Sequence, residues 1–383
     1  MKTKLYILAL SWAVVNLSAQ TKDTLAEKML IYQLPVGGWG KQLEDKSVVN
    51  YNLPLSKELL RKIKATGDDH ATIDNNATSR EINALIKAYS VTRNPEYLKS
   101  AEKGISYLLL MQYKNNGGFP QYYPNKGLYR KQITYNDNAM INALTVLYNV
   151  AEGKNGFDVV DPKLKEKSKT AVQKGIECIL KTQVLQKNIP AIWGDQYNEE
   201  TLQPDKARAF EPVSLATAES VGIVRFLMMQ PVTPEIEKSV KSAIKWFRQN
   251  KIEGYSYEVS KVNGKAVRTL AEDKNSVIWA RFYDINNNKP LFGDRDGSVK
   301  YNYYEVSEER RNGYSWYGDY AEKLLGKEYP KWLEKNSISD LFNVNIYKQV
   351  KALCASLRSN LMSFRIGFLP RFKGGTGEEI ELQ

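Results

Sequence analysis

The amino-acid sequence predicts an all-α fold in which three helical hairpins follow one another along the chain. A short apolar motif at residues 81–86 returns at residues 140–144 and, in a looser form, at residues 219–223. Each copy is followed by a second amphipathic segment, which ends in a loop rich in glycine or aromatic residues. Hairpins whose helices each bury one face predict a toroid or a stacked array of hairpins.

The spacing of apolar residues supports the individual helices. Ile82, Leu85, Ile86 and Tyr89 lie at positions i, i+3, i+4 and i+7, so they form one apolar face of a helix. The second helices of the three hairpins are predicted around residues 100–105, 172–176 and 240–244.

Two segments depart from the helical pattern. Residues 37–41 form a glycine-rich loop, which we expect to expose the aromatic side chain of Trp39. Residues 254–304 break the helical period, and their valine, glycine and asparagine content predicts a short irregular β excursion. Helical spacing resumes near Trp316.

The two ends of the chain differ from the repeats. Two lysines precede an apolar run at residues 5–17, and small residues follow the run, which is typical of a secretory signal peptide. We therefore predict a signal peptide over residues 1–20, an α/α domain over residues 21–336 and a tail of unknown role over residues 337–383. The protein is expected to be secreted or periplasmic, and no later segment is long and apolar enough to span a membrane.

The charge of the chain favours an acidic partner. Lysine and arginine number 55 against 43 aspartate and glutamate residues, which gives a formal net charge of +12. Nucleic acid, an anionic membrane and an acidic polysaccharide all suit that sign. The basic residues are scattered rather than clustered, which argues against nucleic acid. The 7 tryptophans and 24 tyrosines suit stacking on sugars, so an acidic polysaccharide is the favoured partner.

The repeat predicts where the chemistry lies. Because every hairpin starts and finishes at the same end of its helices, the loops before the three first helices should meet. These loops carry Asp74, Asp137 and Arg208, which we interpret as equivalent positions. The loops after the second helices, with Tyr122 and Trp193, should reach the same rim. A helix N-cap is the structural alternative for Asp137.

Two further arginines indicate an acidic ligand. Arg281 lies in an otherwise apolar run, and Arg295 lies between two glycines in a turn. A buried guanidinium is costly unless a carboxylate faces it, so either the protein or a ligand should supply one. Asp284 and Asp296 are the nearby internal candidates, and internal pairing stays open as the alternative.

Several kinds of chemistry are excluded or disfavoured by the composition. His70 is the only histidine, which excludes a histidine-rich zinc site and disfavours a histidine-based triad. No phosphate-binding or dinucleotide-binding glycine motif follows a predicted strand. Two carboxylates flanking a sugar would suit a glycosidase. Arginines beside them would instead suit a uronate, whose carboxylate a guanidinium binds in a bidentate way.

Several short motifs occur together and in order along the chain. They are Thr-Ile-Asp-Asn-Asn-Ala-Thr at 72–78, Gly-Gly-Phe-Pro-Gln-Tyr-Tyr-Pro at 117–124, Ile-Thr-Tyr-Asn-Asp-Asn-Ala-Met at 133–140, Ala-Arg-Ala-Phe-Glu-Pro at 207–212, Trp-Ala-Arg-Phe-Tyr-Asp at 279–284, Gly-Asp-Arg-Asp-Gly at 293–297 and Glu-Arg-Arg-Asn-Gly-Tyr-Ser-Trp-Tyr at 309–317. Together they resemble the family 10 polysaccharide lyases over roughly residues 37–334.

The resemblance implies a fold, an activity and a set of site residues. It implies an (α/α)₃ toroid and a pectate lyase that cleaves polygalacturonate by calcium-assisted anti β-elimination, with an arginine as the base. The implied residues are Arg208 and Asp74 as catalytic groups, Arg281, Arg295, Asn75, Tyr122 and Trp193 as substrate-binding groups, and Asp137 and Asn138 as ligands of Ca²⁺. Asn138 departs from the expected pattern, since an acidic residue is expected there in many relatives.

Two other functions remain open from the sequence. One is a binding protein for acidic polysaccharide that no longer cleaves, and the other is a glycoside hydrolase that cleaves uronates. The presence of Arg208, Asp137 and Asp74 together argues against the binding protein. We expect a monomer that acts on polygalacturonate, without a nucleic-acid or membrane partner.

Overall fold

The computed structural model of the chain describes residues 22–124 and 127–340. The chain forms two compact units, which divide between Leu325 and Gly326. The predicted signal peptide, residues 1–20, lies outside the described residues, as does the predicted tail beyond residue 340. Among the helices of the described ranges, none is long and apolar enough to cross a membrane.

The first unit contains three helical hairpins at the positions of the repeats. Its helices are α1 (Thr24–Tyr32), α2 (Lys57–Ala65), α3 (Ser79–Thr92), α4 (Pro95–Met111), α5 (Ala139–Glu152), α6 (Pro162–Thr182), α7 (Thr217–Met228), α8 (Pro234–Gln249) and α9 (Glu308–Gly313). The hairpins pack in series: α5 contacts both α3 and α7, and α6 contacts both α4 and α8. The second unit contains α10 (Tyr329–Lys335).

The first and the second helices of the hairpins differ in how their N-terminal ends are capped. The second helices begin with a side chain that accepts a hydrogen bond from a first-turn N–H, followed by proline, which is the favoured start of a helix. These caps are Asn94, Asp161 and Thr233. The first helices α3, α5 and α7 have no such side-chain cap. Their starts are therefore fixed by the loops that precede them.

The predicted all-α class is wrong, because the structure also contains eleven described strands. The longest are β6 (Ile252–Val262) and β7 (Lys265–Ala280), which form an antiparallel hairpin with a shift of register between Glu253 and Tyr255. The others have two residues each: β1 (Ile133–Thr134), β2 (Leu185–Gln186), β3 (Ile189–Pro190), β4 (Gln196–Tyr197), β5 (Leu215–Ala216), β8 (Phe282–Tyr283), β9 (Phe292–Gly293), β10 (Val299–Lys300) and β11 (Tyr317–Gly318). Polar and apolar residues alternate over residues 255–260, a strand pattern that the sequence analysis treated as irregular.

The short strands join the loop before the first helix of a hairpin to the loop after the second helix of the same hairpin. Antiparallel pairs form between β1 and β4, between β5 and β8, and between β11 and β7. An isolated bridge joins Thr72 to Tyr122 in the same manner. Backbone N–H and C=O groups that are withdrawn from water need partners, and these pairs supply them. The pairs bring the loops before the first helices next to the loops after the second helices.

Three buried tryptophans attach these loops to the ends of helices. The indole N–H groups of Trp39, Trp193 and Trp279 donate to carbonyl groups in the last turns of α1, α6 and α8, at 2.8, 2.8 and 2.9 Å. The last carbonyls of a helix have no partner within the helix, so these bonds cap it. Trp39 is 0% exposed, which corrects the expectation of an exposed ring.

Gly117 shows how tightly one of these loops is held. Its φ is +78°, and a Cβ atom built there would lie 2.2 Å from the carbonyl oxygen of Lys174 in α6. Gly264, at the tip of the β6–β7 hairpin, has the same φ of +78° with no atom within 4 Å of the built Cβ. The two glycines share a backbone conformation and differ in the space around it.

We expect Gly117→Ala to lower the free energy of unfolding by about 1–3 kcal/mol more than Gly264→Ala does. Both variants carry the cost of alanine in a left-handed conformation, and only the first adds an overlap with backbone atoms. Denaturant unfolding of the two variants measures the difference. Equal losses of stability would show that the loop can move away from α6.

Candidate functional site

Four loops of the first unit carry the same pattern: an aromatic residue, a small residue or proline, and then a polar residue. The polar residues are Lys41, Gln121, Asp195 and Arg281, which we call the loop quartet. The carbonyl groups of the last three accept hydrogen bonds from the N–H groups of Ile73, Tyr135 and Thr217, at 3.2, 2.8 and 2.9 Å. Each of these donors lies at or just before the start of a first helix. The loop quartet therefore lies beside the turns that carry the predicted acidic residues.

Asp74 lies in the turn before α3 and is already paired with a cation. Its side chain is 5% exposed, and the ammonium group of Lys41 donates to its Oδ2 atom. The backbone N–H of Asp74 donates to Thr72 Oγ1 at 3.0 Å. The following residues Asn75 and Asn76 have φ values of +48° and +62°, which asparagine tolerates better than most residues. Asp74 is thus held in one orientation by its turn and by Lys41.

Two predicted substrate-binding residues flank Asp74. Asn75 is exposed at the turn. Tyr122 is half-buried, and its backbone bridges Thr72. The guanidinium carbon of Arg130 lies 5.1 Å from the centre of the Tyr122 ring. Burial raises the pKa of Tyr122, while the nearby charge of Lys41 lowers it. Asn75 and Tyr122 therefore lie beside the pair of Lys41 and Asp74.

Asp137 occupies the corresponding turn before α5. Its φ is +54°, its side chain is 43% exposed, and the start of α5 shows no side-chain cap. The N-cap alternative is therefore not observed for Asp137. This turn contacts the turn of Asp74. The side-chain amide of Asn142 in α5 donates a hydrogen bond to Oδ1 of Asn76 in the Asp74 turn. Burial raises the pKa of Asp137, and the charge of Asp74 raises it further.

Arg281 connects the Asp137 turn to α7. Its Nη2 atom lies 2.5 Å from Oε1 of Glu219, in the first turn of α7, and 3.7 Å from Oδ1 of Asp137. The internal pairing considered from the sequence is thus present, with different partners. Asp284 instead accepts from the hydroxyl of Tyr301 at 2.6 Å. Asp296 accepts from Ser298 within its own turn at 2.6 Å.

Like Glu219, Asp195 is an acidic residue of the site that the sequence analysis missed. Its Oδ1 atom is buried and has no hydrogen-bond partner among the described residues, and the same holds for Oε2 of Glu219. Burial raises the pKa of Asp195 well above its usual range, and the charge of Glu219 adds to the rise, while Arg281 opposes it. The available signal was the pattern Trp-Gly-Asp at residues 193–195, which matches Trp-Gly-Lys at residues 39–41.

Three predicted site residues occupy other places than expected. Trp193 is 0% exposed, so no face of its ring is available to a sugar. Asn138 directs Oδ1 against Gly222 of α7, where the atom is buried. Arg208 is not equivalent to Asp74 and Asp137: strand β5 precedes α7, and Glu219 of α7 occupies the place beside Asp137. The loop between α6 and α7 is longer than the loop between α4 and α5, which hides this offset in the sequence.

Arg208 belongs instead to a group of three arginines around one ring. The guanidinium carbons of Arg208, Arg295 and Arg310 lie 4.8, 4.7 and 4.8 Å from the centre of the Phe210 ring. Arg208 is held by Glu211, with Nε 2.7 Å from Oε2 and a second bond from Nη2 to Oε1. These hydrogen bonds raise the pKa of Arg208. Glu211 in turn lines a narrow pocket together with Asn136 and Asp195.

Arg310 differs from its two neighbours because it has no carboxylate partner among the described residues. Arg295 is held by Glu309 at 3.0 and 3.1 Å. Arg310 is 6% exposed, and its Nε donates to the carbonyl of Gly293 at 3.3 Å. Its guanidinium carbon lies 4.3 Å from the centre of the Tyr314 ring. Burial lowers the pKa of Arg310 and the charges of Arg295 and Arg208 lower it further, while the nearby charge of Glu211 opposes them.

The acidic part of the site has the donors and the charge for a divalent cation. When all of them are ionised, its four carboxylates exceed the two side-chain cations that face them by two negative charges. The carboxylates are Asp74, Asp137, Asp195 and Glu219, and the cations are Lys41 and Arg281. Carboxylate oxygens are the ligands that Ca²⁺ prefers, and two buried oxygens here have no partner. The donor type and the charge therefore suit a hard divalent cation, although among the described residues these carboxylates do not bring three ligand atoms within 4.8 Å of one another.

A second cluster of ligand atoms lies where a residue before α2 meets the turn after α2. Glu44, Asp69 and His70 place ligand-type atoms within 4.8 Å of one another. His70 Nε2 lies 2.9 Å from Oε2 of Glu44. Glu44 and Asp69 are exposed, and exposed acidic groups of this kind are common without a metal. We assign no function to this cluster.

The chain is similar to known proteins along most of its length. The family model for pectic acid lyase matches residues 33–325. A family 10 polysaccharide lyase from Cellvibrio cellulosa is 37% identical, with a TM-score of 0.72, over 82% of this chain and 91% of that chain. A mutant of the family 10 polysaccharide lyase from the same organism, in complex with trigalacturonic acid, gives the same identity and TM-score over 82% and 92%. No curated protein matches the chain.

The match to the family model covers well over half of the chain, and the solved structures exceed 30% identity. The chain therefore belongs to the pectic acid lyase family and is an enzyme of the pectate lyase class. The resemblance inferred from the motifs is confirmed. The binding-only alternative is not supported by this membership.

The raised pKa of Asp195 predicts a pH-dependent effect of Asp195→Asn on stability. Below about pH 4 the carboxyl group holds its proton in both the folded and the unfolded chain, so its burial costs little. As the pH rises through the folded-state pKa, the cost of the buried charge appears. Asp195→Asn removes that cost, so the variant should unfold at a higher temperature than the wild type near neutral pH, in a chelator.

Asp296→Asn is the matched control. Hydrogen bonds from Ser298 lower the pKa of Asp296, so removing its charge should not raise the unfolding temperature. Thermal unfolding of the two variants and the wild type near pH 4 and near pH 8 measures both effects. A lower unfolding temperature for Asp195→Asn near pH 8 would contradict the prediction.

Proposed function

We propose that the chain cleaves polygalacturonate by calcium-assisted β-elimination and releases oligosaccharides with a 4,5-unsaturated end. One observation carries this proposal. A group of carboxylates that lacks two positive charges lies beside a group of arginines that includes a buried guanidinium without a carboxylate. The relative from Cellvibrio cellulosa that is complexed with trigalacturonic acid supports the same class of substrate.

The arginines suit the repeating carboxylates of the substrate. Each galacturonate unit carries one carboxylate, which a guanidinium group can bind through two parallel hydrogen bonds. Arg310 forms no ion pair with a carboxylate among the described residues, so it would bind a substrate carboxylate without breaking an internal pair. Arg281 and Arg295 would share the substrate with the internal partners Glu219 and Glu309. Asn75 and Tyr122 lie beside Asp74, where they would contact the sugar rings.

Ca²⁺ would be held by carboxylates of the acidic group. Asp137 is the most exposed of them, and Asp195 and Glu219 each have a buried oxygen without a partner. Asp74 would contribute after it separates from Lys41. When bound, the ion supplies positive charge that neutralises a substrate carboxylate and makes the proton on C5 more acidic. Asn138 faces Gly222, so we include it as a residue of the turn rather than as a ligand.

Arg208 is the proposed base. It would accept the C5 proton, the C–H electron pair would form the C4–C5 double bond, and the bond between C4 and the leaving oxygen would break. Only a neutral guanidine can accept a proton, and Glu211 favours the charged form. The pair of Arg208 and Glu211 must therefore separate during the reaction, and turnover should increase with pH.

We also propose where the enzyme acts and in what form. The apolar N-terminal segment would direct secretion or export to the periplasm, and the enzyme would act as a monomer on the polymer. Both fit an enzyme whose substrate is an extracellular polysaccharide.

The elimination mechanism predicts an ultraviolet signal that depends on calcium. Wild-type protein mixed with polygalacturonate and Ca²⁺ should produce the absorbance of the conjugated unsaturated uronate, and exhaustive chelation should abolish it. Asp137→Ala should remove most of the calcium-dependent turnover, while its thermal unfolding stays near that of the wild type, because the side chain is partly exposed. Cleavage without ultraviolet absorbance would identify a hydrolase instead.

The base assignment predicts a loss of kcat in Arg208→Lys. Lysine keeps the positive charge but does not place the same proton acceptor, so kcat should fall by about 10²–10⁴-fold with little change in KM. The wild-type kcat should increase up to alkaline pH, because the neutral guanidine becomes more populated. Arg295→Lys is the control, since a residue that only binds carboxylate should change KM more than kcat. A near-normal kcat for Arg208→Lys would reject the assignment.

A further inference from the structure

Lys41 is the member of the loop quartet whose side chain forms an ion pair with Asp74, in the turn before α3. It follows Trp39 and Gly40 in the same pattern that places Asp195 after Trp193 and Arg281 after Trp279. Asp195 and Arg281 belong to the candidate metal and substrate site. The repeat therefore places the ammonium group of Lys41 in the same site, and neither composition nor motif spacing indicated this.

The loop that carries Lys41 is anchored on both sides. Trp39 is fully buried, its indole N–H donates to Met29, and its carbonyl accepts from Thr72 at 3.0 Å. Gly40 bridges Ala71, and a Cβ atom built on Gly40 would lie 2.8 Å from the carbonyl oxygen of Gln42. The backbone of Lys41 is thus fixed, while its flexible side chain remains 28% exposed.

Asp74 is the only carboxylate that Lys41 contacts among the described residues, and the two form an ion pair. Burial of Lys41 works against its charge, while the carboxylate of Asp74 favours it. The ammonium group therefore already supplies the positive charge that Asp74 needs in the absence of a metal. A divalent cation that uses the same carboxylate must displace this charge.

We propose that Lys41 is an internal counter-ion of Asp74 that competes with a divalent cation for this carboxylate and so weakens Ca²⁺ binding in the free protein. This inference rests on the proposed calcium site. Lys41 would act as a positioning residue, because it holds Asp74 in place without contacting the reacting atoms. Two cations that share one carboxylate weaken each other's binding by the same factor, a consequence of linkage.

Titration calorimetry with Ca²⁺ alone tests the proposal on metal-free full-length protein. Lys41→Met should bind Ca²⁺ more tightly than the wild type, within the range of about 5–150-fold that is typical of coupled sites. Lys62→Met is the matched control, because Lys62 also pairs with carboxylates, Asp45 and Glu58, in a different part of the chain. This control should leave the affinity unchanged.

A double-mutant cycle separates competition for Asp74 from a general effect of charge. In the background of Asp74→Asn, the further change Lys41→Met should tighten Ca²⁺ binding much less than it does in the wild-type background, because the shared carboxylate is gone and only the charge effect of Lys41 on Asp137 remains. Equal tightening in both backgrounds would overturn the proposal. So would an unchanged or weaker affinity of Lys41→Met in the otherwise wild-type protein, or an absence of Ca²⁺ binding by both proteins.

Two further measurements serve as controls for the calorimetry. Thermal unfolding establishes that each variant is folded, and Lys41→Gln replaces Lys41→Met if the methionine variant does not fold, with the same expected direction. The ultraviolet assay on wild-type protein reports elimination independently of calorimetry. Elimination without tightening in the lysine variant would reject the role of Lys41 and leave the proposed function intact. Tightening without elimination would reject the function and retain the competition.

Discussion

The hydrogen bond between a buried indole and the end of a helix is the contact on which the candidate site depends. Trp39, Trp193 and Trp279 each donate to a carbonyl that its helix cannot satisfy, and each is followed two residues later by a charged member of the loop quartet. Burial of the ring fixes the loop, and the loop fixes the charge. Tryptophan at these positions therefore caps a helix. It also fixes the position of the charged residue that follows it by two places in the chain.

The turns before the first helices provide the other half of that geometry. Asn75, Asn76, Asp137 and Asn138 all have positive φ values, and the first helices begin without side-chain caps. Such conformations are costly for most residues and persist only where the surroundings fix them. Here the surroundings are the neighbouring turn, the N-terminal part of α7 and the side chains of Lys41 and Arg281. The asparagines in these turns are explained by backbone conformation, and the acidic side chains between them remain available for chemistry.

The sequence predicted the hairpins and several site residues because these depend on local periodicity and on motifs. It placed Asp74, Asp137 and Arg281 in one region, and the structure brings them together. It placed Arg208 by counting hairpins, which failed because the loop between α6 and α7 is longer than the loop between α4 and α5 and carries Arg208 well ahead of α7. It treated Trp39 as exposed and Trp193 as substrate-binding, whereas an aromatic residue beside glycine can equally be the buried centre of a loop. Lys41, Asp195 and Arg310 were missed because their partners lie far away in the sequence, and the strands were undervalued because short pairs between loops leave little periodic signal.

The charges of the two neighbouring groups complement one ligand in particular. The acidic group lacks two positive charges after Lys41 and Arg281 are counted. The three arginines around Phe210 face two carboxylates, Glu211 and Glu309, and so lack one negative charge. A calcium ion alone would satisfy the first group, and a uronate carboxylate alone would satisfy the second. A uronate that binds with calcium satisfies both, and each of the two makes the other more favourable by Coulomb attraction in a partly buried site. The acidic group has an excess of carboxylates, and the neighbouring group has an excess of guanidinium groups. This arrangement therefore favours the binding of an anionic sugar together with its metal over the binding of either one alone.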